Sequence, residues 1–420
     1  MKVLLIGSGG REAAIAYKIL QSPLLKELKV FPGNGGFSPE SILLKNDIDL
    51  KSKTSVINFV LKEKFDLVVV GPEEPLVDGL ADWMQEISVP CFGPSSACAK
   101  LEGSKDFAKS LMFEFGVPTA SYKTFTNLEE SIQYIQNHSL PIVIKADGLA
   151  AGKGVMVCDT ILTAQNFLNE IFIDNKFGNS GSKVVIEEFL KGEEASVFAI
   201  SDGENFIMLP ALQDHKRVGE GDTGLNTGGM GAYCPAPVFT DKVKKQVEEE
   251  VFSRMFSGLK TRKTPYKGLL YAGLMIENDS AKVVEFNCRF GDPETQALLL
   301  LIEDDFLKLL YDASTFNLKQ KSIQIKNGFS SVVVLASLGY PGEYIKNIPI
   351  ELSSQNPNVQ IFHAGTKIVD GKVLSTGGRI LGIASTAKTL KESLELSYNL
   401  LNSNPIPNTF YRKDIGYKAL

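Results

Sequence analysis

The sequence predicts a multidomain chain of mixed α/β and α+β class, and three patterns carry that prediction. In the first hundred or so residues, short apolar runs alternate with helical stretches, as in a parallel sheet covered by helices. From about residue 121, apolar strands follow one another across glycine turns, an antiparallel pattern. After about residue 327 a last block is again rich in strands.

The elements follow in order. "KVLLI" runs into glycines and then into the helical "GGREAAIAYKIL". "FDLVVVG" and "VPCFGPS" are buried-type strands flanking "DGLADWMQEI", which has helical spacing. This parallel α/β unit spans residues 1–103. In "EGSKDFAKSLMFEFGVP", Ser104 suits an N-cap, Gly116 suits the residue after the C-cap, and Pro118 stops the helix. "PIVIKA", "GVMVC" and "KVVIEEF" read as strands of a small unit over 121–190. "EEASVFAI", "YKGLLYAGLMI" and "AKVVEFN" belong to a larger unit made of 104–120 and 191–327, and 328–420 forms the last. The long Gly-rich segment "QDHKRVGEGDTGLNTGGMGAYCPAP" reads as a structureless loop, and such loops inside a compact protein are usually functional.

Composition excludes several classes. A net charge of −5 provides no basic field for nucleic acid, so an anionic substrate must be held by local groups. Five scattered cysteines (Cys91, Cys98, Cys158, Cys234, Cys288) contain no C-x-x-C pair, and only three histidines are available. The dispersed thiols fit a reducing, cytoplasmic setting. No apolar run is long enough to span a bilayer.

The stretch "IKADGLAAGKGVMVC" resembles a phosphate loop but is not a P-loop. Gly148 and Gly152 are one residue too close, Gly154 stands where Ser or Thr would meet magnesium, and strands flank both sides. A glycine hairpin folded over nucleotide phosphates fits better, with charge from Lys145 and Lys153; a solvated turn is the alternative. In "VVIEEFLKGEEAS", Glu187–Glu188 and Glu193–Glu194 can accept from ribose hydroxyls, and the backbone at Phe189 and Leu190 can pair with an adenine edge. The alternative there is a solvated acidic loop. In "VVEFNCRFGDPETQ", Glu285, Asn287 and Arg289 share one strand face. The first two are hard-oxygen donors suited to Mg²⁺, and the guanidinium can grip a phosphoryl group. Asp214, Lys216 and Arg217 precede "TGLNTGGMG" and suit a segment that covers substrate.

"GSGGREAA" does not fit dinucleotide binding. Glu12 replaces the third glycine, and "LKVF" leads to Pro32-Gly33-Asn34 without an acid for a ribose hydroxyl. A tight turn feeding a helix N-terminus, with Gly9, Gly10 and Arg11, suits a single sugar phosphate; a turn that only packs strand to helix is the alternative. His215 could contact ligand, His363 reads as structural and His138 as a surface residue.

Taken together, "GSGGRE", "GPEEPLVDGL", "LEGSKDFAK", "KADGLAAGKGV", "IEEFLKGEEAS", "QDHKRVGEGDTG", "NTGGMGAY", "EFNCRFGDPETQ", "FHAGTK", "GGR" and "RKDIG" make the whole chain resemble the phosphoribosylamine–glycine ligase family of ATP-grasp enzymes. The resemblance implies an N-terminal Rossmann-like domain that binds phosphoribosylamine (1–103), a central ATP-grasp domain (104–120 and 191–327), an ATP lid (121–190) and a β-rich C-terminal domain (328–420). It implies ligation of glycine to 5-phosphoribosylamine in purine biosynthesis, using ATP with Mg²⁺ or Mn²⁺ and passing through glycyl phosphate. Another ATP-grasp carboxylate–amine ligase or carboxylase is the alternative. The chain is expected to be a monomer, with a dimer as the alternative.

Carried onto this sequence, Arg289, Lys145 and Asp214 are expected to be catalytic. Lys105, Lys145, Gly152, Lys153, Gly154, Glu187, Glu188, Leu190, Glu193 and Glu194 would hold ATP, and Glu285 and Asn287 the metal. Gly9, Gly10, Arg11, Asn34, Lys216, Asp292, Pro293 and Glu294 would bind substrate. Two positions depart from the family pattern: Ala13 replaces the usual His of "GGREHA", and Leu225 the usual Pro of "DTGPNTGG".

Overall fold

The computed structural model describes residues 1–43, 47–149 and 154–420. The N-terminal sheet is parallel, in the order Glu27–Pro32, Lys2–Gly7, Leu67–Val70, Cys91–Phe92. Val3 to Ile6 are fully buried, as strands covered on both faces require. The first strand ends at Gly7 with φ +134°, and the helix Gly10–Ile19 starts at once.

Ser104 divides the helices Ser96–Gly103 and Lys105–Glu114. Its backbone is extended and its hydroxyl accepts from Phe107 N, so it caps the second helix as expected. Gly116 follows that helix with φ +68°. The Asp147 carboxylate accepts from Ser104 Oγ at 3.0 Å and from Asp106 N at 2.7 Å. These bonds tie the root of the next sheet to the helix start.

That next sheet is antiparallel, in the order Tyr122–Phe125, Val184–Glu188, Ile142–Ala146, Val155–Cys158. Lys145 pairs with Val155, so the glycine stretch joins two paired strands, the hairpin context expected of it. A separate core of Ile142, Ile144, Phe167, Leu168 and Ile186 supports this unit. The central sheet, also antiparallel, runs Phe206–Met208, Glu193–Asp202, Lys267–Glu277, Ser280–Asn287.

The last large sheet holds a departure from expectation. Its order is Gln213–Asp214, Gly231–Cys234, Phe329–Ser337, Arg379–Ala387, Val359–His363. The supposedly structureless segment therefore contributes two strands to it, and Arg217–Gly219 pairs with Thr223–Asn226 as a small ribbon. Pairing satisfies backbone donors and acceptors that a buried irregular loop would leave without partners. Among the described residues no helix is long and apolar enough to cross a membrane.

Candidate active site

A cavity of about 500 Å³ is lined by residues from every large unit, including Lys105, Lys145, Gly154, Glu187, Glu194, Asp214, Lys216, Glu285, Asn287, Arg289 and Glu294. Arg11 enters it from the N-terminal unit and Arg379 from the C-terminal one. Lys145 Nζ lies 3.0 Å from Glu187 Oε1 and donates to Val284 O at 3.1 Å. The second contact depends on a bulge. Gly273 pairs with Glu285 and Leu274 with Val283, leaving Val284 as the extra residue on its strand. Lys105 Nζ donates to Gly148 O at 3.1 Å.

Glu285 has the electrostatics of an ionised ligand. Burial works to raise its pKa, but Lys216, Lys145, Lys105 and the Asn287 amide outweigh it, and the net shift is downward. Asn287 Nδ2 is 3.4 Å from Glu285 Oε1, and Asn287 Oδ1 receives only a long 3.4 Å contact from Arg289. Two hard oxygens therefore face one space with little internal competition. Among the described residues no group of three or more His, Cys, Asp or Glu could hold a metal ion. The pair thus fits a cation that takes most of its ligands from phosphates and water, as Mg²⁺ does.

Asp214 behaves differently. Burial raises its carboxyl, Lys216 opposes, and Glu294 and Glu194 add to the rise, which reaches about 7. Glu294 is buried and accepts from Tyr271 OH at 2.9 Å and Ser196 Oγ at 3.2 Å. Asp292 accepts from Gln296 Nε2 at 2.8 Å and faces Arg379 at 3.3 Å.

The structure places several of the expected residues in other surroundings. Arg289 lines the cavity, and its guanidinium is also held within the protein: Nη2 lies 2.8 Å from Glu102 and Nε 3.2 Å from Glu73. Glu188 does not line the cavity. The period of two along its strand places Glu187 inward, while Glu188 meets Ser121 N and Lys282 Nζ at 3.1 Å each. Leu190 and Glu193 do not line the cavity either; Glu193 accepts from Gln213 at 3.3 Å, and its neighbour Glu194 takes the inward place. Lys216 is bound to Glu194 at 2.5 Å. Gly152 and Lys153 lie outside the described residues.

The turn after the first strand is also more occupied than expected. Glu12 Oε2 accepts from Gly9 N at 2.6 Å, and Asp292 from Arg11 N at 3.3 Å, so side chains already use two of the N–H groups expected for a phosphate. A Cβ on Gly71 would lie 2.0 Å from Glu12 Oε1, and one on Gly7 2.4 Å from its Cγ. The Glu12 side chain fills the approach a dinucleotide would need, the objection its sequence position raised. Arg11 is held by Glu12 at 2.5 Å and by Phe290 O at 3.0 Å. Asn34 uses its amide within the protein, donating to Ser8 O and His363 O at 2.9 and 2.8 Å and accepting from Gly36 N at 2.9 Å. A second cavity of about 360 Å³ is nevertheless lined by Ser8, Gly9, Asn34, Asp292, Thr366, Gly378 and Arg379. Gly10 and Pro293 pack beside these groups, with Gly10 against Gln296 and Pro293 against Gly229.

Of the histidines, His363 meets Thr366 Oγ1 at 3.2 Å, a structural contact. His215 is fully buried and turned away from the cavity, with Nε2 accepting from Gly416 N at 2.9 Å. Sequence reasoning missed Lys109, whose Nζ lies 3.1 Å from Glu187 Oε2 inside the cavity wall. Burial lowers its pKa to about 8, against the opposing charge of Glu187. The signal was available: Lys109 is one helical turn beyond Lys105, on the same face. Glu73, Glu102 and Arg379 were also missed as individual residues.

Comparison with known proteins agrees with this architecture. Residues 1–102, 103–295 and 330–418 match the family models for the N domain, the ATP-grasp (A) domain and the C domain of phosphoribosylglycinamide synthetase. A phosphoribosylamine–glycine ligase of Leptospira interrogans is 57% identical, over 100% of this chain and 99% of its own. The chain belongs to the phosphoribosylamine–glycine ligase family. The Escherichia coli O6:H1 ligase is 43% identical over 100% of this chain and 99% of its own. The crystal structure of the Thermotoga maritima phosphoribosylamine–glycine ligase superposes with a TM-score of 0.86 at 33% identity, covering 99% of this chain and 100% of that one. The biotin carboxylase domain of a Hydrogenobacter thermophilus 2-oxoglutarate carboxylase, solved with MgADP and bicarbonate, reaches 0.73 at 16% identity, covering 98% and 91%. That likeness is one of fold alone. The fold is a multidomain α/β one, with a parallel N-terminal sheet, antiparallel ATP-grasp sheets and a C-terminal β domain, and an ATP-grasp domain implies ATP binding.

Proposed function

We propose that this chain ligates glycine to 5-phosphoribosylamine, forming glycinamide ribonucleotide, ADP and phosphate in purine biosynthesis. The full-length relatives support this reading. The observation that carries it to these residues is the cavity shared by Lys145 of the lid, Lys105 and Lys109 of the central unit, the Glu285–Asn287 pair, and Arg11 and Arg379 from the N- and C-terminal units. ATP lies between the lid and the central sheet, with Lys105, Lys145 and Lys109 beside it and Glu187 orienting the last two. Glu194, tied to Lys216, faces the ribose. Phosphoribosylamine enters by the second cavity, bounded by the N- and C-terminal units, with Asp292 and Arg379 common to both cavities. The four-part division into N-terminal, lid, central and C-terminal domains is part of the same reading, as is a cytoplasmic setting.

The glycine carboxylate attacks the γ-phosphorus, ADP leaves, and glycyl phosphate forms. The amine nitrogen then attacks the acyl carbon, and phosphate departs. Most of the catalysis is positioning and charge neutralisation. Glu285 and Asn287 would hold Mg²⁺ or Mn²⁺, which supplies charge neutralisation on the phosphates. Asp214 accepts the proton that the attacking amine sheds, because its carboxyl is held near neutrality. Arg289 acts mainly by fixing the strand end that carries Asn287.

The deciding measurement is ADP release with glycine omitted, then with the amine omitted. The ligase releases ADP at full rate only with both present; rapid release with bicarbonate in place of glycine would support a carboxylase instead. Asp214→Asn lowers kcat about a hundredfold. It also removes the wild-type loss of kcat below about pH 7, where the carboxyl becomes protonated. An unchanged acid limb in kcat–pH profiles would exclude Asp214 as the base. Ala13 is half-buried against the core and continues the first helical turn, bonding to Gly9 O at 3.1 Å. Ala13→His therefore changes KM for phosphoribosylamine by less than about tenfold. A larger shift in initial-rate measurements would give that position a direct role. Leu225 is 66% exposed on the ribbon strand Thr223–Asn226, so its replacement of Pro alters only the stiffness of that ribbon.

A further inference from the structure

The motif "RKDIG" near the C-terminus has no place in the chemistry above, yet it holds the largest fully buried side chain among the described residues. Arg412 is 1% exposed. Its Nη1 donates to Arg217 O at 3.0 Å and Asp222 Oδ1 at 2.8 Å. Nε and Nη2 form a fork on Asp414 at 2.8 and 2.7 Å. Asp414 in turn accepts from Gly221 N at 2.7 Å. Tyr417 OH and Lys418 Nζ reach Asp222 Oδ2 at 3.0 and 2.6 Å, and Gly416 N donates to His215 Nε2 at 2.9 Å. Apart from Asp414 itself, each of these partners lies in 215–222, far away in sequence.

The neighbours of His215 give this cluster its meaning. Along the extended chain, Asp214 and Lys216 face the active-site cavity while His215 faces the C-terminal segment. Lys216 O also accepts from Thr227 N at 2.7 Å and Thr227 Oγ1 at 2.9 Å, and Thr227 lines the same cavity. A buried arginine–aspartate cluster gains little net stability once desolvation is counted. What it does supply is one geometry, because the guanidinium fork fits its two carboxylates and a carbonyl in a single arrangement.

We propose that the Arg412–Lys418 segment is a positioning latch: through Asp222 and His215 it sets the rear face of the extended segment whose front face presents Asp214 and Lys216 to substrate. Arg412 is a positioning residue and touches no substrate. The latch rests on the ligase reading only for its kinetic consequence.

Two measurements test it. In Arg412→Met, amide hydrogen exchange over 213–231 rises about tenfold or more, while Glu193–Asp202 in the central sheet keeps its protection. In ligation, kcat falls about tenfold or more with KM for ATP changed less than about twofold, and Arg412→Lys recovers part of the loss. Should Arg412→Met fail to fold, Tyr417→Phe with Lys418→Met removes only the partly exposed end of the cluster. It gives the same pattern at about threefold in kcat. Unchanged exchange over 213–231, or faster exchange there with unchanged kcat, would overturn the latch. If wild type itself fails to ligate, the functional reading is lost, while the exchange result still judges the latch.

Discussion

Glu285→Gln abolishes ligation, lowering kcat by about a thousandfold or more, while the chain stays folded. The size follows from what the carboxylate does. It is the one anionic member of the candidate metal pair, and three lysines hold it ionised against the effect of burial. An amide in its place keeps the shape and loses the charge. The fold survives because each of those lysines has another partner: Lys145 has Glu187 and Val284 O, Lys216 has Glu194, and Lys105 has Gly148 O. The melting temperature of the free protein should therefore move by less than about 3 °C. Wild type gains thermal stability from ADP with Mg²⁺ together, through linkage. The variant gains much less from the metal. Scanning calorimetry with and without MgADP, beside the ADP-release assay, checks both halves. Full activity in Glu285→Gln would remove the metal role from this residue.

Arg289→Met has its largest effect on stability. The guanidinium lies between Glu102 and Glu73, and Glu102 is buried. Removing it leaves the buried Glu102 without its cation, a loss of about 3 kcal/mol, while the half-buried Glu73 can still reach solvent. Glu102 already has a raised pKa, from burial first and from Glu73, with Arg289 opposing. Without Arg289 the rise is larger. A carboxyl whose folded pKa lies above its unfolded value binds more protons when folded, so stability is lost as pH rises through that range. The variant therefore regains stability on acidification from pH 7.5 to 5.5, relative to wild type. Adding Glu102→Gln restores most of the loss at pH 7.5, because the amide oxygen can still accept from Cys288 N, now 2.8 Å from the Glu102 carboxylate. Urea unfolding of the three proteins at both pH values makes the comparison. Wild-type stability in Arg289→Met would show that the triad is not the support its geometry indicates.

Much of this site is legible in the amino-acid sequence. Glu285 and Asn287 stand two apart on a strand, and the period of two puts them on one face. Glu12 in place of a glycine excludes a dinucleotide, and its side chain fills that approach in the fold. Ser104 and Gly116 mark one helix by capping chemistry, which acts within a single turn. Lys145 in a strand before the glycine stretch suggests a nucleotide cover, and the family resemblance adds Lys105 at a helix start.

Other features are beyond sequence reasoning because they depend on partners far along the chain. The Arg289 fork looks free for phosphate in the sequence, yet Glu73, 216 residues away, and Glu102 also hold it. The bulge at Val284 sets the carbonyl that Lys145 uses, and no residue type marks it. The segment from Gln213 to Cys234 reads as a loop because its glycines hide two short strands, and only the edge offered by Phe329–Ser337 makes them pair.

The class of each unit, the shared strand face of Glu285 and Asn287 and the family all follow from the order of residues, since period, caps and motif spacing act over close neighbours. Which charges meet is a matter of three-dimensional packing: Arg289 with two glutamates, Lys109 and Lys145 with one, and Arg412 with the back of the substrate-facing segment. Ion pairs carry no sequence period; they form where the topology brings opposite charges together out of water.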